Sequence, residues 1–331
     1  MHSAPLPIVR HPPTDGAVWP GVSVVVVARR SAATIDACLA SLRALDYPEV
    51  EILVADDGSC DATVTAALGA TLVDAHGRGA AAARNLGVAR ARHEIVAVVE
   101  ADCLVSRGWL KGLVDVLRRR KAVSASGPET NRFPEGDHHG ARDVETLCAL
   151  ASLASEDERH EEREVEYHDG GHAVYIKHAL LEAGGFSPAL PAGGGVDLDI
   201  RLPPLRYRAP YPPAAPVERL RPDPAGWLAA AMRDDGRAQR ALVERYGRYR
   251  LRHYVPHLVG ALAAAQVLWL PRRTRGLAWL VNGGLLAGVL AGMVTRVPPE
   301  RRAAALKYAT IAVREWTRGY LEGWGPPHAV R

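Results

Sequence analysis

The chain has 331 residues, of which 48% are hydrophobic, enough to bury one large core or two smaller ones, and this excludes a disordered protein. Its 41 basic and 37 acidic residues leave a formal charge of +4. Most of the excess is an arginine cluster from Arg237 to Arg252, and no recognisable module interleaves aromatics with these bases; a membrane surface is therefore the acidic partner to expect, and nucleic acid is not.

Residues 1–20 form a Pro-rich leader with no charged segment followed by an apolar one, so no secretory signal is expected. Cys38, Cys60, Cys103 and Cys148 show neither C-x-x-C spacing nor a disulfide framework. Both readings put the folded domain on the cytoplasmic side of a cell membrane. The run Gly21 to Ala28 is continuously apolar and β-branched, as in a parallel strand covered on both faces. Ile35, Cys38, Leu39 and Leu42 predict a helix over 33–45, which Pro48 closes before a strand at 50–55. A short strand at 71–73, a Gly-rich turn at Gly77-Arg-Gly79, a helix over 80–92 and a strand at 94–99 repeat the alternation. Such βα repetition implies a mostly parallel sheet with right-handed crossovers. An amphipathic helix at 109–120 and a strand at 122–128 follow. Residues 155–166 are dense in Glu and Arg and read as a solvated helix, while Gly184-Gly-Phe186 and Gly193-Gly-Gly195 read as loops near a site.

The last third changes character. Residues 223–253 predict a basic amphipathic linker helix, and 254–270 and 277–295 are apolar stretches of bilayer length separated by Arg272-Arg-Thr-Arg275. Gly284, Gly288 and Gly292 recur every fourth residue, as where helices approach closely in lipid. A spanning hairpin would put the three arginines outside, against the usual charge bias. A shallow interfacial hairpin and two buried soluble helices both stay open. The tail, 296–331, carries Trp316, Tyr320 and Trp324 at i, i+4 and i+8, a stripe for a lipid interface or for packing on the hairpin.

Chemistry concentrates at strand ends. In an open α/β sheet, ligands collect beyond the carboxyl ends of the strands. There Asp56 and Asp57 enter a Gly-Ser turn and suit nucleobase or ribose donors, while Asp61 reads as a cap. The segment His76 to Gly87 offers close backbone approach, with Arg84 and Asn85 projecting toward a phosphate or base. Glu100 and Asp102 alternate at the next strand end, as ligands of Mg²⁺ or Mn²⁺ bridging a diphosphate do.

In order and wording these motifs resemble the family 2 glycosyltransferases, over roughly residues 21–222. The resemblance rests on Val22 to Arg29 with Ala33-Thr-Ile35, Val54 to Asp61, Ala82-Ala-Arg-Asn-Leu-Gly87, Glu100-Ala-Asp102 and Gly184-Gly-Phe186. It implies a Rossmann-like, mostly parallel α/β sheet of the nucleotide-diphospho-sugar transferase (GT-A) type, followed by a helical, membrane-associated C-terminal region. It also implies a nucleotide-diphospho-sugar donor and Mg²⁺ or Mn²⁺; the apolar hairpin, which would place the site near a bilayer, makes a lipid-linked acceptor one expectation, with a glycan the other. Asp56, Asp57, Arg84 and Glu100 would serve the nucleotide, and Asp102 with Glu100 the metal.

The departures from the family pattern lie downstream. Gly194-Gly195 stand where the family writes a Glu-Asp pair whose Asp is the general base, Asp197 matches the next acid, and Arg219 takes the place of a metal-completing His. Arg30-Ser31 replaces Asn-Glu after the first strand, and His172 replaces an acceptor-side Asn. Asp197 and His172 are thus the candidate catalytic bases. Two functions follow: transfer of a sugar to an acceptor hydroxyl, with inversion by the family resemblance, or a degenerate transferase that binds nucleotide sugars as a scaffold.

Overall fold

The computed structural model describes residues 18–61, 63, 69–134, 140, 142, 163–165, 171–190, 194–202, 209–247 and 302–322. The apolar stretches at 254–270 and 277–295 lie outside these residues. Among the described residues, no helix is long and apolar enough to cross a membrane.

The chain divides into two compact units, residues 1–132 with 155–221, and residues 133–154 with 222–331. The first is built on a six-stranded sheet in the order β3-β2-β1-β4-β9-β6. Its strands are β1 (Val22–Ala28), β2 (Val50–Asp56), β3 (Thr71–Asp74), β4 (Ile95–Glu100), β6 (Ser124–Ser126) and β9 (His172–Ile176). Pairing among β3, β2, β1 and β4 is parallel, and β9 runs antiparallel between β4 and β6. All seven β1 residues are buried, as a central strand covered on both faces requires.

Helix α1 (Ile35–Arg43) buries the expected stripe of Ile35, Cys38, Leu39 and Leu42. Helix α2 (Ala80–Arg90) lies against β1 and β2 at Gly87, where a Cβ would collide with Val25. Helix α3 (Trp109–Arg120) buries Trp109, Leu113 and Val116, and its three C-terminal arginines face the negative end of the helix dipole.

A second sheet, β5 (Cys103–Val105), β11 (Val217–Leu220) and β7 (Glu129–Arg132), is small, and it sets up the site. Strand β11 runs antiparallel to β5 and parallel to β7, so Arg219 is opposite both Cys103 and Asn131.

Two expectations change. Gly194–Arg201 is a helix, α5, and not a loop: Gly194, Gly195, Asp197 and Leu198 are buried, which fixes the segment despite its glycines. Residues 163–165 form a strand, β8, paired with β10 (Ala209–Tyr211), where a solvated helix was expected; 155–162 and 166 lie outside the described residues. Helix α4 (Lys177–Glu182) follows β9 directly.

In the second unit, α6 (Pro224–Tyr246) starts at an Asp223 N-cap that accepts from the Gly226 amide, with Pro224 at its first position. It pairs with α7 (Arg302–Glu322) around Leu228, Tyr308 and Ala309. The Trp316 indole donates to Asp235 of α6 (2.8 Å) and stacks on Tyr320, whose ring lies under Arg240 of α6. The stripe therefore packs on α6; Trp324 lies outside the described residues.

Candidate functional site

The turn after β2 is held from both sides. Asp56 folds back onto its own turn, accepting from the Ser59 amide (2.9 Å) and hydroxyl. The Ser59 hydroxyl in turn accepts from the Arg30 amide (2.9 Å), so Arg30 and Ser59 tie the loops after β1 and β2 together. Asp61 accepts from the Thr63 amide (3.0 Å), a local bond of the kind that caps make.

Asp57 is different. Its side chain is 1% exposed, and one carboxylate oxygen accepts from the Gly79 amide at 2.8 Å. The other oxygen has no hydrogen-bond partner among the described residues, since Arg29 stops 3.7 Å away. Leaving a buried acceptor without a hydrogen bond costs about 1–3 kcal/mol, more for a charged one, and the Arg29 guanidinium at 3.7 Å is the charge that faces it.

Arg84, projecting from α2, pairs with Glu100 at the end of β4 and lies over the Phe186 ring, 5.5 Å from its centroid. Asn85 does not share that pocket. Its amide donates to the Phe186 carbonyl and its carbonyl accepts from the Phe186 amide, both at 2.8 Å, clamping the Gly184-Gly-Phe186 turn to α2. Gly185 has φ +69, and a Cβ there would meet the Asn85 oxygen at 2.5 Å, so only glycine fits the clamp.

Asp102 follows β4 and meets two arginines. Arg219 Nε and Nη2 each approach one of its oxygens at 3.2 Å, and Arg221 Nη1 donates to it at 3.1 Å. Glu129 of β7 lies 3.5 Å from Arg219 and 3.3 Å from Arg221, and Arg221 Nε donates to Asn131 (2.9 Å). Burial works against the charge on Arg219, but Glu129, Cys103, Asp102 and Glu100 together hold its pKa above the ordinary value. Burial and the neighbouring Arg219 lower that of Arg221. Both guanidinium groups remain cationic.

The two candidate bases are engaged elsewhere. Asp197 on α5 is 0% exposed, and its carboxylate accepts from Arg201 one turn on, at 3.0 and 2.6 Å. Arg201 also donates to the Ala183 and Gly185 carbonyls, so this pair latches α5 to the Gly-Gly turn. His172 is buried at the start of β9; its Nε2 donates to the Gly127 carbonyl (2.9 Å), and its Nδ1 faces Glu129 at 3.3 Å.

Residues 23–184 match the sequence model of glycosyl transferase family 2. The chain carries a family 2 glycosyltransferase domain. A curated relative, pre-mycofactocin glycosyltransferase of Mycobacterium tuberculosis, is 31% identical over 217 residues, which are 63% of this chain and 45% of the relative. The match thus spans less than half of that protein. Among solved structures, the Pyrobaculum calidifontis mannosyltransferase PcManGT in complex with GDP-Man and Mn²⁺ is similar at a TM-score of 0.55 and 21% identity, covering 94% of this chain and 91% of that one. Staphylococcus aureus TarS 1-349 is similar at a TM-score of 0.50 and 16% identity, covering 91% of this chain and 90% of that one. Both likenesses show the GT-A fold.

In this glycosyltransferase domain the acids expected at the metal, Glu100 and Asp102, do not fit a divalent shell as they stand. Such an ion needs oxygen ligands at about 2.0–2.6 Å. Here Glu100 carries Arg84, and Asp102 carries Arg219 and Arg221. Two like unit charges 4 Å apart repel by about 4 kcal/mol at an effective dielectric of 20, and a dication doubles that. Among the described residues, no group of three or more His, Cys, Asp or Glu side chains converges to hold an ion.

The sequence reading missed Glu129 and the roles of Arg221 and Asn85. The signal for Arg221 was there: Arg219 and Arg221 are two apart on an extended segment, so they share a face. Glu129 had no such signal.

Proposed function

We propose that this chain transfers a sugar from a nucleotide-diphospho-sugar to an acceptor hydroxyl, with inversion at the anomeric carbon, at the cytoplasmic face of a membrane. The observation that carries donor recognition is Asp57, a buried strand-end carboxylate with one oxygen left for a ligand's N–H or O–H. Strands β2 and β4 flank β1 and so lie about 10 Å apart, roughly the span of a nucleoside from base to phosphate. A base bound at Asp57 thereby directs its diphosphate toward the arginines at the end of β4. In transfer, the acceptor oxygen bonds to the anomeric carbon as it loses its proton to a base. The bond from that carbon to the diphosphate breaks, and its electron pair stays on the diphosphate.

GDP-Man in the mannosyltransferase neighbour supports a donor of this class, and the name of the mycobacterial relative makes pre-mycofactocin one acceptor to try. A lipid-linked or glycan acceptor is the other arm. Membrane action is supported by the two apolar stretches and their basic flanks. The engagement of Asp197 with Arg201 and of His172 with Gly127 favours a second reading, a nucleotide-sugar-binding protein without turnover.

Release of nucleoside diphosphate from UDP- and GDP-sugars, with and without acceptor, separates the two. Turnover is expected, with Asp57→Asn lowering donor affinity about tenfold or more, because the free oxygen becomes an N–H₂ donor facing a donor. Tight donor binding with no release under any acceptor establishes the second reading; no binding of any nucleotide sinks both.

A further inference from the structure

We propose that Arg219 and Arg221 take over the task of a divalent cation and hold the donor's diphosphate directly, so that nucleoside diphosphate binds this domain without metal. This rests on the donor-binding reading of Asp57. The small sheet has one visible consequence, the placing of two guanidinium groups beside Asp102. Strand β11 is registered so that Arg219 is opposite Cys103, and the Leu220 amide donates to the Asp102 carbonyl at 2.8 Å. Arg221, just beyond the strand, is fixed by its own amide on the Arg132 carbonyl (2.9 Å) and by Nε on Asn131. These are positions set by backbone pairing on both sides, not by flexible side chains reaching across a surface.

The charge arrangement then decides which guest fits. A dication at Asp102 has to displace two partly buried guanidinium groups from their carboxylates or sit beside them, and either course is unfavourable. A diphosphate needs no such displacement. A guanidinium carries five N–H donors, and Arg219 directs Nε and Nη2 at Asp102 and Nη1 at Glu129, one contact per nitrogen, so the second N–H of each Nη is left to meet phosphate oxygens. Arg219 keeps 17% of its side chain exposed, so its guanidinium borders solvent although Asp102 and Glu129 engage it. Asp102 and Glu129 orient the fork before the ligand arrives, as positioning residues. Arg84 and Glu100 repeat the arrangement on the other side, again pairing a guanidinium with an acid expected at the metal.

The test is calorimetry of the full chain with UDP and GDP, in EDTA and in millimolar Mn²⁺ or Mg²⁺. The expected result is that at least one nucleotide binds with an affinity that differs less than about threefold between the two buffers. Arg219→Gln should weaken UDP or GDP about tenfold while leaving uridine or guanosine unchanged, a contrast that loss of structure does not produce. Should that variant fail to fold, Arg221→Lys, which keeps the charge but loses the fork, should show the same contrast in smaller degree. Arg219→His, placing a metal-binding imidazole at the same register, should gain dependence on Mn²⁺. Nucleotide binding seen only with metal, and abolished by EDTA, overturns the proposal and leaves the donor-binding reading standing. Absence of binding by either nucleotide in both buffers, with folding verified by circular dichroism, removes that reading and the proposal with it.

Discussion

Asp57 and Asp102 sit just past two parallel strands of one sheet, yet they meet opposite surroundings. Asp57 has one oxygen without a hydrogen-bond partner among the described residues, whereas both oxygens of Asp102 face guanidinium groups. The first was legible in the sequence because a run of apolar residues ending in Asp-Asp-Gly-Ser is a local pattern. The second was not, because the pairing of Arg219 with Asp102 joins residues 117 positions apart and is made by strand register. The same burial sorts the thiols around the site. Cys38 is pushed up to about 12, first by burial and then by the charges of Asp102 and Glu100, and burial likewise raises Cys103 well above its ordinary value. Cys60 is exposed and follows Ser59 in the turn after β2, where the proposed nucleotide would bind. Thiolate is the reactive form. Iodoacetamide at pH 8 is therefore expected to label Cys60 and spare Cys38 and Cys103 in the native protein, as read by peptide mass spectrometry. UDP or GDP should slow labelling of Cys60. Equal labelling of Cys38 and Cys60 without denaturant contradicts the burial of this core.

At the level of elements, helices and strands of the parallel repeat follow their hydrophobic periods, so α1 and α3 could be read directly from spacing. Helix α5 could not, because Gly194-Gly195 oppose a helix locally and only their burial, with the Asp197–Arg201 latch, overrides that propensity. The α6–α7 pair shows the same dependence on partners. A Cβ at Gly236 would collide with the Trp316 carbonyl, and one at Gly319 with that of Arg233, so the two backbones meet at glycines. Next to that crossing, Arg233 of α6 donates to Glu315 of α7 (Nε at 2.9 Å), and Arg314 adds a second bond. The bond from Arg233, the larger influence, holds the Glu315 carboxyl below its ordinary value. A carboxyl with a depressed folded-state pKa stabilises the fold above its unfolded value, near pH 4.3, and loses that contribution as pH falls through the lower folded value. Glu315→Gln is accordingly expected to lower the melting temperature at pH 7, with the gap from the parent closing toward pH 3. A gap that stays constant across this range would show that Glu315 acts through packing alone.

On the scale of the whole molecule, each unit has its own core. The large cluster, from Val22 on β1 to Val217 on β11, lies within the first unit, and the cluster around Leu228 and Tyr308 lies within the second. Asp57, Arg84, Glu100, Asp102, Glu129, Arg219 and Arg221 all belong to the first unit, which ends at Arg221. The proposed nucleotide site should therefore need nothing beyond that residue, since a cluster held by β5, β7 and β11 has all its strands in hand. Membrane affinity, in contrast, is expected from the basic and apolar sequence that follows. A chain cut after Arg221 tests both halves of this division at once. Titrated with UDP or GDP, it should bind within about threefold of the full chain. In flotation with vesicles containing anionic lipid, the full chain should rise with the vesicles and the shortened one stay behind. If the shortened chain folds but loses the nucleotide, the site draws on residues 222–331. If it floats as well as the full chain does, the membrane contact lies on the transferase domain itself, and the apolar stretches at 254–295 have another purpose.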